Sequence, residues 1–315
     1  MKNRSNQMIE AFRFISCIMV VFIHAPFYHS AGGYIGAFGC YAVPFFFMIS
    51  GYYFKPNILY IKKKLFDTIR IIIIAGTICV TWNCINSYID NNSFSIWFCE
   101  YANMKTLFKF LLFNRAVFFN SVFYYLFILV YIYTILIFTR NLLNLSNILL
   151  FVTPFIYFLG YYYVHFAGKA WYYSGNFLFT GFPMFCIGRL IRIVPQIFEK
   201  IRKHEFIIFL IGLLVTLFEL KYLPVSGYTY VGQIIIAMAL LCFCINNKQK
   251  KAPYLFVYAG SHYSLYIMLF HCEIRDTIGI FMSNKSLFFP IIVLMVSICF
   301  ALIASTLLSL ITKMT

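Results

Sequence analysis

Acidic side chains are scarce in this chain of 315 residues, which holds nine Asp and Glu against 25 Lys and Arg. Charged residues make up 11% of the sequence and apolar residues 63%. So few charges cannot cover the surface of a water-soluble particle of this size, whereas lipid tails accept apolar side chains without a polar coat. The composition therefore excludes a soluble globular protein and predicts an integral membrane protein.

Other features that mark particular protein classes are also missing. The ten cysteines include no CxxC pair, so zinc-finger spacing is absent and most of them read as small apolar packing residues. The sequence has no internal repeat and no low-complexity linker. The net charge of +16 has a simple cause in a membrane protein, because Lys and Arg gather in cytoplasmic loops. We therefore expect no nucleic-acid partner, no metal and no permanently bound cofactor.

Ten apolar stretches are long enough to cross a bilayer. Helices are the expected form, because unpaired backbone groups are too costly in hydrocarbon. The fold class is therefore predicted to be all-α, a polytopic bundle of about ten transmembrane helices that forms a single domain over residues 1–315. The stretches are 8–29, 36–54, 68–89, 119–138, 147–164, 176–194, 205–221, 229–246, 261–281 and 288–311.

Basic residues divide unevenly between the two sides of an alternating ten-span arrangement. One side receives 17 Lys and Arg and the other receives six, with Arg13 and Arg275 inside spans. The positive-inside rule then places both termini in the cytoplasm. A cleavable signal peptide is the alternative for the first stretch, but Glu10 and Arg13 at its start favour a permanent span.

Ionisable side chains inside spans are candidates for function, since they are costly in lipid unless they are paired or line a cavity. In the first span, Glu10 and Arg13 are three residues apart and can form an ion pair near the cytoplasmic end. Eleven residues separate Arg13 from His24, which returns to nearly the same helix face about 16 Å farther along. This spacing predicts that both open onto one hydrated tunnel. The alternative for His24 is a structural histidine that bridges two helices.

The ninth stretch holds a second polar group. Ser264, His271 and Arg275 share one helix face, and so many polar residues need an aqueous or protein-lined environment. A structural role is again the alternative for His271. In the second stretch, Pro44 would kink the helix, and Ser50 followed by glycine either takes part in the site or permits close helix packing.

Two segments predicted to lie on the outer side are rich in aromatic residues. Between 90 and 118, four apolar side chains share one helical face, which predicts a helix in the outer interface. These are Leu107, Phe108, Leu111 and Leu112. In the loop 165–176, Trp171 would either belong to an interfacial belt or stack on a sugar.

These motifs together resemble acyltransferase family 3, whose bacterial membrane proteins modify cell-surface polysaccharides. Glu10, Arg13 and His24 match the family's acid, arginine and histidine on the first span. PFFFMISGYYF matches an aromatic run that ends in Ser-Gly, FPMFCIGR matches a later proline, phenylalanine and glycine motif, and the ninth stretch supplies the late serine, tyrosine and histidine. The chain departs from the family before the third span, where IKKKLFDTIR replaces two arginines three residues apart.

The resemblance implies a multi-pass O-acyltransferase of the bacterial cytoplasmic (inner) membrane, most simply an O-acetyltransferase. It would transfer an acetyl group from cytoplasmic acetyl-CoA to a sugar hydroxyl of a lipid-linked or surface polysaccharide. His24 would act as a general base or accept the acyl group, and Arg13, held by Glu10, would attract the donor. Substrate contacts are expected from Ser50, His271, Ser264, Arg275, Lys63, Lys64, Arg70 and Trp171.

Two other functions fit the same composition. A transporter or flippase for polysaccharide or lipid-linked sugar would use intramembrane charges to guide its cargo. A polytopic glycan polymerase is a third possibility. The sequence does not fix the acceptor sugar, the size of the acyl group or the oligomeric state.

Overall fold

The computed structural model describes residues 6–89, 103–113, 121–141, 146–169, 175–223 and 230–314. Within these ranges the chain is helical and contains no strand, which confirms the all-α prediction. It forms two compact units. One comprises 1–46, 201–218 and 231–315, and the other comprises 47–200 and 219–230.

Fourteen α-helices occur in the described ranges. They are α1 (Gln7–His24), α2 (Ser30–Gly39), α3 (Ala42–Tyr52), α4 (Ile58–Ile89), α5 (Met104–Phe113), α6 (Tyr124–Thr139), α7 (Ser146–His165), α8 (Phe182–Ile193), α9 (Glu199–Lys203), α10 (Glu205–Tyr222), α11 (Val231–Asn246), α12 (Tyr254–His262), α13 (Ser264–Phe281) and α14 (Phe289–Met314). A 3₁₀ turn at Ser121–Phe123 precedes α6, and a π-helical turn at Phe177–Gly181 leads into α8.

Five segments are long and apolar enough to cross a membrane. They are Gln7–His24, Ser30–Tyr52, Ile58–Ile85, Ile148–His165 and Phe289–Thr306. The helices α6 and α11 are apolar but have only 16 residues each, and α10 and α13 each carry three charged side chains. The number of ten crossings and the cytoplasmic position of both termini therefore stay predictions.

The second predicted stretch is not one continuous helix. The chain turns at Cys40 and Tyr41, between α2 and α3, so Pro44 lies in the first turn of α3. The interruption lies where a proline acts on a helix, because Pro44 has no N–H to donate to the Cys40 carbonyl four residues earlier. The kink itself stays a prediction.

The ninth predicted stretch also spans two helices. Tyr263 separates α12 from α13, and its N–H donates to the carbonyl of Ala259 over 2.8 Å while its own carbonyl accepts from the N–H of Ile267 over 3.0 Å. The two helix ends share this residue, and both backbone groups of Tyr263 are hydrogen-bonded. Ser261 and His262 consequently belong to α12 and not to the polar face of α13.

The third predicted stretch begins earlier than expected. Asn57 caps α4 by accepting hydrogen bonds from the N–H groups of Leu59 and Tyr60 over 2.9 and 3.2 Å. The lysines at 62–64 therefore lie on the helix and not in a loop. Lysine is a good helix former, and hydropathy alone places the boundary after such charges.

In the first unit, α1 packs against α2, α11, α12, α13 and α14. In the second unit, α4 packs on α6 and α7 packs on α8. The described part of the predicted interfacial segment forms α5, whose Phe110 ring contacts the Phe127 ring of α6 at a centroid distance of 4.8 Å. Its apolar face is exposed at Leu107, Phe108, Leu111 and Leu112, as a lipid-facing helix requires.

Candidate active site

The helices α1 and α13 run side by side in the same direction. The Cys17 thiol lies 3.4 Å from the carbonyl of Ser264, and seven residues later on both helices the His24 ring faces the His271 ring at a centroid distance of 5.1 Å. Equal advances along both chains require parallel helices. The same direction is expected for the first and ninth spans of an alternating bundle, and it brings the two histidines of the sequence motifs together.

His271 is held in a defined orientation. It is fully buried, and its Nδ1–H donates to the Ile267 carbonyl, the atoms being 2.9 Å apart. Because a carbonyl can only accept, the proton of the neutral ring lies on Nδ1 and the lone pair lies on Nε2. The His271 ring is thus fixed with an acceptor nitrogen on its far edge.

His24 differs from His271 in its freedom. It is half-buried, and its ring makes no hydrogen bond with any described residue. One ring nitrogen of His24 lies within 4.8 Å of one ring nitrogen of His271 and of the Cys272 sulfur. The imidazole of His24 therefore has nitrogens available for a bound molecule, while the neighbouring histidine can orient it.

Arg275 fastens the end of α1 to α13. Its Nη1 donates to the backbone carbonyl of His24 over 3.2 Å, and Asp276 binds the same guanidinium at 2.8 Å from Nε and 2.6 Å from Nη2. His24 is the last residue of α1, where carbonyls lack helical partners. The guanidinium thus fixes the backbone of His24. The sequence predicts Arg275 as a substrate contact and does not indicate this backbone partner.

Arg13 and Glu10 form the ion pair that their spacing predicts, at 3.0 Å between Nη1 and Oε2. The Arg13 side chain keeps 35% of its surface exposed. The backbone of Glu10 is pressed against α12, because a side chain at Gly260 would overlap the Glu10 carbonyl. The N-terminal end of α1 is therefore fixed, and its arginine remains accessible.

The tunnel predicted between Arg13 and His24 is not tested by these contacts. Cys17 and Val20 lie between them on the same helix face, and both are buried. Because Cys17 touches α13 directly, a water-filled passage would have to run beside it. Ser264 adds a buried hydroxyl that has no hydrogen-bond partner in the described ranges, which makes it a place for a substrate atom or a water molecule.

Comparison with known proteins gives one match, to a family described as an acyltransferase domain, over residues 6–314. The chain belongs to acyltransferase family 3. No curated protein and no solved structure matches it. The family assignment made from the motifs is confirmed over essentially the whole chain, and the protein is an acyltransferase with membrane helices.

The Ser-Gly motif of this acyltransferase lies where α3 crosses α8. A side chain at Gly51 would overlap the Phe185 carbonyl, and one at Gly188 would overlap the Met48 carbonyl. The two backbones are therefore in direct contact, which confirms the packing role of the glycine. Ser50 Oγ lies 3.4 Å from the Tyr125 hydroxyl, so its hydroxyl takes part in packing within the second unit.

Sequence reasoning missed two arginines of the acyltransferase, Arg189 and Arg192 on α8. Arg189 Nη1 donates to the Phe54 carbonyl over 3.2 Å, and the Arg192 guanidinium lies 5.5 Å from the centre of the Tyr52 ring. Both hold the C-terminal end of α3, where positive charge is favourable. Their spacing of three residues, directly after the glycine motif, is the sequence feature that could have identified them.

The remaining predicted substrate contacts are dispersed. Lys63, Lys64 and Arg70 are exposed on α4, and none of the three forms an ion pair with a described residue. The Lys64 ammonium lies 5.9 Å from the centre of the Tyr60 ring. Trp171 lies outside the described residues.

Proposed function

We propose that this acyltransferase is a membrane O-acetyltransferase that transfers an acetyl group from acetyl-CoA to a sugar hydroxyl of a lipid-linked or surface polysaccharide. We place it in the bacterial cytoplasmic membrane. The observation that carries the proposal is the His24 imidazole, which is half-buried, free of internal hydrogen bonds and paired with the oriented ring of His271.

His24 can serve acyl transfer in two ways. As a general base it takes the proton of the sugar hydroxyl while the hydroxyl oxygen attacks the thioester carbon; the C–O bond forms, the C–S bond breaks and the proton ends on the departing thiolate. As a nucleophile it accepts the acetyl group first, releases CoA and then passes the group to the sugar. Both routes need an unprotonated nitrogen on His24.

His271 supports either route as an orienting group. Its Nε2 lone pair can accept a hydrogen bond from an N–H of His24 once the rings approach, which would aim the other His24 nitrogen at the reacting carbon. The hydrogen bond of His271 to the Ile267 carbonyl keeps that lone pair in place. Arg275 also helps to orient His24, because its guanidinium donates a hydrogen bond to the His24 backbone carbonyl.

The cations supply contacts for the donor. Arg13 keeps part of its surface exposed beside Glu10, and Lys63, Lys64 and Arg70 carry charges without a carboxylate partner in the described ranges. The phosphates of CoA are anions that such groups attract. The acetyl end of the donor would then be the part that reaches His24.

The proposal is tested by comparing the acetylation of surface polysaccharide from three strains. They are a deletion strain, the same strain carrying the wild-type chain and the same strain carrying His24→Ala. Mass spectrometry should find displayed but unacetylated glycan in the deletion and His24→Ala strains, and acetylated glycan with the wild type. Loss of display would instead indicate a transporter, and shortened chains a polymerase. Full acetylation with His24→Ala would contradict the role of His24.

A further inference from the structure

We propose that His24, His271 and Cys272 bind a zinc-class divalent cation, and that this cation inhibits acyl transfer. The inhibition rests on the proposed role of His24, whereas the binding does not. The donor atoms are one nitrogen from each ring and the Cys272 sulfur, all within 4.8 Å of one another. Sequence spacing could not reveal this group, because His24 is contributed by α1 and the other two ligands by α13.

The His271–Cys272 edge already has the dimension of a zinc site. Cys272 Sγ lies 3.5 Å from His271 Nε2. Zinc binds nitrogen at about 2.0 Å and sulfur at about 2.3 Å, so two such ligands at a tetrahedral angle are about 3.5 Å apart. The third ligand atom, on His24, lies within 4.8 Å of both, and its ring has no internal hydrogen bond to break when it moves toward an ion.

The surroundings of His271 also suit a metal ligand. Histidines that bind metals commonly donate their other ring N–H to a carbonyl or carboxylate, which leaves the opposite nitrogen for the ion. His271 makes this bond to the Ile267 carbonyl. Cys272 forms no disulfide in the described chain and can lose its thiol proton to solvent when the ion binds.

The local charge is compatible with a bound cation. Thiolate formation at Cys272 would offset one of the two positive charges of the ion. The nearby Arg275 guanidinium is already paired with Asp276. Two imidazoles and a thiolate favour Zn²⁺ or Cd²⁺, whereas Mg²⁺ and Ca²⁺ prefer oxygen ligands.

Inhibition follows from the chemistry of one nitrogen. A lone pair of His24 that coordinates the ion cannot accept a proton from the sugar or an acetyl group from the thioester. The ion and the reaction therefore compete for the same atom. Cys272 contacts His271 but no reacting atom of the proposed transfer, so its removal should abolish inhibition without abolishing activity.

Cd²⁺ titration of the purified full-length protein in detergent measures binding directly, through the ultraviolet charge-transfer absorption of cadmium–thiolate bonds. Wild type should show one more thiolate ligand than Cys272→Ala, and His24→Ala should bind Cd²⁺ at least about tenfold more weakly than wild type. Cys299→Ala, which removes an exposed cysteine on α14, is the matched control and should change neither result.

Zn²⁺ inhibition of acetyl transfer is measured on the same proteins. Cys272→Ala should keep the basal rate and need at least about tenfold more Zn²⁺ for half inhibition, while Mg²⁺ should have no effect. If Cys272→Ala does not fold, Cys272→Ser, which offers a poor zinc ligand of similar size, replaces it. Equal sensitivity of the wild type and the Cys272 variant, or unchanged cadmium absorption, overturns the proposal. Cadmium binding by a protein without acetyl transfer would overturn the proposed function and leave the metal site standing.

Discussion

The α1–α13 pair and the α3–α8 crossing both contain family motifs, but they use them in opposite ways. Between α1 and α13 the contact is made by side chains, with two imidazoles facing each other and a guanidinium on a backbone carbonyl. At the α3–α8 crossing the contact is made by the backbones, because Gly51 and Gly188 remove the side chains that would separate them.

This contrast separates motif residues that can act on a substrate from motif residues that serve packing. His24 keeps ring nitrogens without internal partners, whereas every feature described at Gly51 serves close packing. Buried polar groups are normally satisfied within the protein, so a half-buried ring whose nitrogens have no protein partner can bind a molecule from outside. Substitutions in the first pair should therefore change catalysis, and those at the crossing should change stability.

The largest effect is expected for His24→Ala. It removes the proton acceptor or nucleophile, so acetyl transfer should fall by at least about 100-fold while the amount of folded protein stays the same. His262→Ala, at an exposed histidine of α12 that stacks on Tyr258, is the matched control and should keep the wild-type rate. Rates are measured with radiolabelled acetyl-CoA and purified glycan. A His24→Ala enzyme with normal turnover would remove the distinction between the two helix pairs.

Gly51→Ala should test the crossing. The added methyl group overlaps the Phe185 carbonyl, and separating the two backbones should cost about 1–3 kcal/mol of stability. The expected result is a lower unfolding temperature of the detergent-solubilised protein, with catalysis per folded molecule unchanged. Gly33→Ala, where an added Cβ has no atom within 4 Å, is the control. Equal unfolding temperatures for both variants would show that the crossing tolerates separation.

Arg275→Gln should give a smaller, purely kinetic effect. Loss of the hydrogen bond to the His24 carbonyl lets the imidazole drift, so kcat should fall about tenfold with little change in KM for the glycan. Arg275→Lys keeps a positively charged donor with a longer reach than glutamine, and it should recover part of kcat. A raised glycan KM at unchanged kcat would instead support the substrate contact that the sequence predicts.

Arg13→Ala is expected to act on the donor alone. KM for acetyl-CoA should rise about threefold to tenfold, because an exposed cation that attracts the phosphates is lost. S-acetyl-pantetheine lacks those phosphates, and its KM should not change. Equal increases for both donors would mean that Arg13 supports the helix end and not the nucleotide.

Hydropathy located the helices well, because each apolar stretch has to be long enough for lipid. It missed the turns at Tyr41 and Tyr263, since apolar residues continue across both and hydropathy does not report backbone hydrogen bonds. The start of α4 was missed for the opposite reason. The charges of Lys62 and its neighbours ended the apolar stretch, although the helix continues through them.

Helical spacing predicted the Glu10–Arg13 pair because both residues lie on one helix. It also assigned His24 and His271 to polar faces, yet their contact depends on which helices are neighbours, and a single sequence does not contain that information. The partner of Arg275 was even harder to predict from the sequence. A backbone carbonyl can belong to any residue, so residue identities do not encode it.

The contact between α1 and α13 joins two segments that are synthesised far apart in time. The helix that bears His24 leaves the ribosome early, and its partner emerges only when most of the chain has been made. The early helix must wait in the membrane, and a product that stops before Ser264 keeps the hallmark histidine without the surface that orients it. Nonsense mutations just before the codon for Ser264 should thus be as damaging as those near the codon for Arg13.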